Sequence, residues 1–201
     1  MSSRKSIKWT LLITSALAVG CFSFVLFILN LDFPGQISYA MSEVISVKTV
    51  TKTQPIRLKI PNAKVDALVE SVGLTLDGAV GVPKGPKNVA WFNKGVRPGE
   101  IGSAIITGHF GVWLGGIPTV FNNLGKLKKG DLLSINDEKG NVTNFVVREV
   151  KSYDQNENVP AVFGAGDQGV HLNLITCMGI WNKILKRYPR RLVVYTDKVF
   201  D

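Results

Sequence analysis

Cys177 closes the apolar run Val170-His171-Leu172-Asn173-Leu174-Ile175-Thr176, and His109 follows another, Gly102-Ser103-Ala104-Ile105-Ile106-Thr107-Gly108. A thiol near an imidazole is a pairing that makes a cysteine nucleophile, because the thiolate attacks and a neighbouring cation favours its formation. An arginine nearby would stabilise the oxyanion that develops on an attacked carbonyl. Arg190 and Arg191 open the last apolar run, Leu192-Val193-Val194-Tyr195, and strand alternation sends them to opposite faces, so spacing alone does not choose between them. The other histidine, His171, stands six residues before Cys177. In a strand rising ~3.3 Å per residue it lies ~20 Å away, and it reads as structural. By position alone, Cys177 stays open between nucleophile and packed spectator.

The elements that must position these residues read as strands. Pro55-Ile56-Arg57-Leu58-Lys59-Ile60-Pro61 alternates apolar and basic residues between two prolines, and Val65 to Leu74 gives a second strand or strand pair. Asn88 to Phe92 fits a short strand or a helical turn, and residues 102–107 a buried strand. Phe110 to Pro118 is a Gly/Trp-rich loop, and Val120 to Leu127 resembles one or two helical turns. Strands follow at Leu132–Ile135 and Asn144–Val150, joined by a turn at Glu138-Lys139-Gly140-Asn141. Residues 151–169 form a long loop with a helical turn at 159–163, and loops of that length in a compact domain are mostly functional. The strand ending at Cys177, a variable loop and the strand from Arg191 to Thr196 complete the chain. So many short strands with so little helix imply an all-β barrel or sandwich of about eight strands.

The N-terminal part differs in kind. Thr10 to Leu29 contains no charged residue. About 20 such residues span the ~30 Å hydrocarbon core of a bilayer as a helix. Arg4, Lys5 and Lys8 precede the run and Asp32 is the first charge after it, which sets the N-terminus in the cytoplasm and the rest outside. The expected organisation is a cytoplasmic segment 1–9, a single transmembrane signal anchor 10–30, a stalk 31–53 and an extracellular domain 54–201. Two other readings are weighed. Ser38-Tyr39-Ala40 offers a signal-peptidase site, but the apolar run is long for a cleaved h-region and ends well before it. Gly20-Cys21 offers a lipidation site, but apolar residues continue beyond it.

The formal net charge is +9. With three cations assigned to the cytoplasm, 21 basic and 15 acidic residues leave the outer part near +6. No basic run with interleaved aromatics suggests nucleic acid. With Cys21 in the apolar run, Cys177 has no intramolecular disulfide partner outside. A lone thiol in an oxidising exterior is a liability unless it pairs between chains or reacts usefully. Asp154, Glu157 and Asp167 could offer oxygens to Ca²⁺. They read better as solvated loop charges, and no metal or cofactor is expected.

Taken together, Thr107-Gly108-His109, Leu174-Ile175-Thr176-Cys177 and Arg191-Leu192-Val193-Val194-Tyr195 resemble the signature strands of the sortases, cell-envelope cysteine transpeptidases. The likeness extends over residues 55–197. It includes Ile60-Pro61 with Val65-Asp66-Ala67, Gly73-Leu74 with Asp77-Gly78, Val82-Pro83-Lys84 with Asn88-Val89-Ala90-Trp91, and Gly130-Asp131. In detail the chain is most similar to class F or class E sortases.

The resemblance implies a closed eight-stranded β-barrel with one or two short helices. It implies Cys177 as nucleophile, His109 as acid/base, Arg191 as substrate-positioning and oxyanion-stabilising cation, and Thr176 near the substrate carbonyl. Arg190 is the reserve for the arginine role, because Thr196 replaces the Ala common near the end of that strand. The implied reaction cleaves a C-terminal motif like Leu-Pro-x-Thr-Gly through a thioacyl-enzyme. A peptidoglycan cross-bridge or pilin lysine then takes the acyl group. The partners implied are secreted proteins with such sorting signals and the membrane that holds the anchor. Two alternatives stand beside it, a tethered barrel that binds without catalysing and a cysteine endopeptidase that uses water.

Overall fold

A computed structural model describes residues 53–164 and 166–200. The expected anchor 10–30 and nearly all of the stalk lie outside the described residues. Among the described residues, no helix is long and apolar enough to cross a membrane. Residues from Lys52 onward form one compact unit.

The described residues form ten strands: β1 (Pro55–Ile60), β2 (Val65–Val72), β3 (Val89–Phe92), β4 (Gly102–Gly108), β5 (Val112–Trp113), β6 (Ile117–Pro118), β7 (Leu132–Asp137), β8 (Val142–Asp154), β9 (Val170–Met178) and β10 (Arg190–Lys198). Eight of them close into a barrel in the order β1-β2-β3-β4-β9-β10-β8-β7, with β7 returning to β1. The expected closed eight-stranded barrel is thus the fold. Strands β5 and β6 make a separate two-residue hairpin within the expected loop after His109. Closure removes the free edges that an open sheet would expose.

Alternation along each strand fills the barrel. Leu58 and Ile60 of β1, Ala104 and Ile106 of β4, Leu172 and Leu174 of β9, and Leu192 and Val194 of β10 all point inward and are buried. Burying each Leu or Ile side chain contributes on the order of 1.5–3 kcal/mol. The middle strands β4 and β9 run parallel and are buried on both faces. Their outer face carries a second, smaller core in which Ile105, Tyr153, Val193 and Tyr195 meet Val159 and Val162 of the loop after β8. Both faces being covered explains why these strands read as continuous apolar runs in the sequence.

Several local expectations change. The β8 strand extends to Asp154, four residues past the expected end, because Tyr153 is buried and its hydroxyl meets Tyr195 Oη at 2.9 Å. Pairing of β8 with β10 skips Arg148 between Tyr195 and Thr196, a bulge that bends the strand. Residues 89–92 are strand, not helix. Helix among the described residues amounts to four three-residue 3-10 turns, at Pro61–Ala63, Leu114–Gly116, Leu124–Lys126 and Pro160–Val162, where one or two short helices are expected. Within 120–127, Phe121 and Leu124 are driven into the barrel core, and the bonds from Leu124 N–H to Phe121 O and from Leu127 N–H to Leu124 O make the segment a 3-10 turn.

Gly108 ends β4 on the inward face. A Cβ there would collide with the Phe121 ring, so only glycine lets that ring close the core beneath His109.

Candidate active site

Register brings the candidate residues together. In the antiparallel β9–β10 ladder Cys177 pairs with Arg191, and Ile175 with Val193. In the parallel β4–β9 ladder Thr107 pairs with Ile175. Two residues further along both chains stand His109 and Cys177, just past the end of β4. His109, Cys177 and Arg191 therefore follow one transverse row on the outer face, with neighbouring strands ~4.8 Å apart. The strand ends are clamped there by the buried hydroxyl of Thr176, which donates to Gly108 O at 2.7 Å.

Two grooves meet at the thiol. The first, about 440 Å³, runs along the outer face over Thr107, Ile175, Thr176, Val193 and Arg191, walled by Val159 and Val162 on one side and Ala79 to Val82 on the other. The second, about 700 Å³, is lined by His109, Trp113, Trp181 and Tyr188. Cys177 lines both. The long loop after β8 is thus a groove wall. It is held by Gln155 N–H donating to Pro189 O at 3.0 Å and Asn173 Nδ2 donating to Val162 O at 2.7 Å.

Electrostatics at the thiol are opposed. Cys177 is half-buried, and burial pushes its thiol above the usual range because the charged form loses hydration. The Arg191 guanidinium acts against this and pulls it down, the smaller of the two effects. Burial also pushes the Tyr188 phenol up, with the negative thiolate of Cys177 adding to the effect.

Arg191 and Arg190 separate clearly. Arg191 lines the first groove beside Cys177. Arg190 is exposed and turns to β8, where its Nη2 donates to Ser152 Oγ at 2.7 Å and to Ser152 O at 3.1 Å.

His109 is held on two sides. Its Nε2 meets the Pro83 carbonyl at 2.8 Å, and its ring lies 4.7 Å from the Trp113 ring at 54°. A carbonyl only accepts, so Nε2 carries a proton and Nδ1 is the nitrogen free to exchange one. The loop bearing Pro83 is pinned by Thr107 Oγ1 donating to Gly81 O at 2.8 Å. The sequence reading gave Pro83, Trp113, Trp181 and Tyr188 no role at the site. Their only signals were a Pro/Gly turn pattern and aromatics in two loops.

His171 is far from this row in role as well as distance. It is buried, and its ring nitrogens meet Asp197 Oδ1 at 2.8 Å and Asp167 Oδ1 at 2.9 Å. The three loop carboxylates do not converge. Asp167 serves His171, whereas Asp154 and Glu157 bond within their own turn. Among the described residues, no three His, Cys, Asp or Glu side chains group in a way that could hold a metal ion.

Comparison with known proteins gives a consistent result. The family model of the sortase domain matches residues 58–199. Sortase C-1 from Actinomyces oris is similar in structure, with a TM-score of 0.57 and 20% identity over 74% of this chain and 76% of that one. Sortase C-1 from Streptococcus pneumoniae gives 0.55 and 21%, covering 73% and 67%. A Clostridium perfringens sortase D5 transpeptidase gives 0.54 and 19%, covering 81% and 86%. At such identities the likeness speaks for the fold alone. No curated protein matches the chain. The family model spans nearly the whole described barrel, and on that match the chain belongs to the sortase family, whose members are cysteine transpeptidases acting on peptide bonds.

Proposed function

We propose that Cys177, His109 and Arg191 carry out transpeptidation at the junction of the two grooves. The observation that carries this reading is the position of Cys177 on both grooves, opposite Arg191 in the ladder. A C-terminal sorting segment like Leu-Pro-x-Thr-Gly lies in the apolar groove over Ile175 and Val193. The Cys177 thiol gives its proton to His109 Nδ1, and the resulting thiolate attacks the Thr carbonyl carbon and forms a C–S bond. Arg191 offsets the negative charge that gathers on the carbonyl oxygen. The C–N bond breaks, and the leaving amine takes a proton from His109 Nδ1. An acceptor amine, from a peptidoglycan cross-bridge or a pilin lysine, approaches through the aromatic groove. It attacks the thioester carbonyl, gives its proton to His109 Nδ1, and releases the thiolate as the C–S bond breaks.

Each residue's surroundings support its role. Burial favours the neutral thiol at rest, while the adjacent guanidinium acts the other way and favours the thiolate. Thr176 keeps the row aligned through its bond to Gly108 O. The charge-free run from Thr10 to Leu29, with cations only before it, supports a membrane anchor that leaves the barrel outside the cell, where secreted substrates pass.

The test is a sorting-motif peptide offered with and without an added amine. The full chain is expected to form a thioester at Cys177 and to yield the amide product when amine is present. Cys177→Ala should form neither. Undiminished transfer by Cys177→Ala would sink the assignment, and hydrolysis unchanged by amine would make the protein an endopeptidase instead.

A further inference from the structure

The peptide unit joining Pro83 to Lys84 is bonded at both ends. Its carbonyl accepts from His109 Nε2–H at 2.8 Å. Its N–H donates to Glu70 Oε2 at 3.0 Å. The other carboxylate oxygen of Glu70 accepts from Asn88 Nδ2 at 2.8 Å. One peptide plane thus stands between a half-buried carboxylate on β2 and the imidazole beyond β4, and Pro83 itself is buried. A carboxylate at the N–H end of an amide polarises it and makes its carbonyl a stronger acceptor, so hydrogen bonds in such a chain reinforce one another.

We propose that Glu70 is a positioning residue for His109, acting through the Pro83–Lys84 peptide to hold Nε2 as the donor and leave Nδ1 as the atom that exchanges the proton. It does for this imidazole what a directly bonded carboxylate does in a nucleophile–histidine–carboxylate triad, with a backbone amide interposed. The packing agrees. Trp113 closes one side of the ring, and the Gly81 carbonyl, two residues before Pro83, is tied to Thr107. Glu70's own carboxyl is held below the usual range, chiefly by the Asn88 amide and then by the Lys84 N–H, with the charge of His109 contributing. Glu70 is therefore an anion at neutral pH, and it senses the imidazole across the peptide.

The role assigned to Glu70 rests on His109 as the proton carrier, and the experiment separates the two. The full chain is labelled with ¹⁵N-histidine. It holds only two histidines, so the His109 signals are those missing in His109→Ala. In the parent, neutral His109 is expected as a single tautomer, Nε2 protonated and Nδ1 bare. In Glu70→Ala the two nitrogen shifts should move toward each other as tautomers mix. Turnover of a sorting peptide should then fall about tenfold in kcat with KM nearly unchanged. Glu70→Gln keeps an oxygen for the Lys84 N–H, so it should retain the tautomer and recover most of the rate. Glu70→Asp, one methylene short of Lys84 N, should resemble Glu70→Ala and serves if that variant does not fold. A single Nε2–H tautomer in both Glu70→Ala and Glu70→Asp overturns the proposal, as does an unchanged kcat in either. Full activity of His109→Ala would instead overturn the reading of His109, and the tautomer measurement would stand apart from it.

Discussion

Arg191 stands directly opposite Cys177 in the β9–β10 ladder, whereas Arg190, one residue earlier, faces Met178 and reaches across to Ser152. This single step of register separates a cation that lowers the thiol's hold on its proton from one that bonds β8.

The two arginines should therefore respond differently to substitution. Arg191→Gln is expected to lower kcat/KM for a sorting peptide by ~10²–10³-fold, the loss typical of one oxyanion-stabilising group. Arg190→Gln removes only the bonds to Ser152 at an exposed site and should stay within a few-fold of the parent. Steady-state kinetics of the two variants side by side decides the matter, and equal losses would contradict the register argument.

Thiol reactivity should track the opposed electrostatics. With burial dominant, Cys177 is a neutral thiol at neutral pH. Its alkylation by iodoacetamide, followed by the mass of the Cys177 peptide, should rise about tenfold per pH unit and keep rising past the ordinary thiol value of ~8.5. Loss of the cation in Arg191→Gln raises the thiol further, so its alkylation at a given pH should be slower. A plateau below pH ~7 in the parent would show that burial does not dominate.

The clamp beneath the site has a stability signature. Thr176→Val removes the donor that serves Gly108 O in a buried setting and should destabilise the fold by about 1–3 kcal/mol. Gly108→Ala pushes a methyl into the Phe121 ring, an overpacking that costs about 1–3 kcal/mol. Urea denaturation of each variant measures both, and a midpoint equal to the parent's for Gly108→Ala would mean that the ring moves freely aside.

Asp137 gives the domain an acid-sensitive tie. Its carboxyl is held down to about 2, chiefly by the Thr53 hydroxyl and then by the Asn141 amide. A folded value below the unfolded ~3.9 means that the stabilisation is complete above ~4 and is lost as pH falls toward about 2. Asp137→Asn lacks this titration. Its deficit against the parent, read from urea midpoints, should be largest near neutrality and shrink below pH ~4. A deficit that grows with acid would reverse the sign argued here.

Much of this protein is legible in its sequence because the informative patterns are local. The runs that become β4, β9 and β10 announce themselves by unbroken apolar character. Their ends place His109 and Cys177 where a strand gives way to a loop. The dismissal of His171 needs nothing but the strand's rise per residue, and its burial between Asp167 and Asp197 fits a structural role. What only the tertiary structure decided depends on contacts between distant segments. Arg191 is set apart from Arg190 by the register of two strands, and register is a property of the pair. The Pro83 carbonyl, Trp113 and Tyr188 come to the site from three separate loops. Glu70 reaches His109 through a peptide thirteen residues beyond it in the chain. No spacing rule links such positions, because the closure of the barrel, not the order of residues, makes them neighbours.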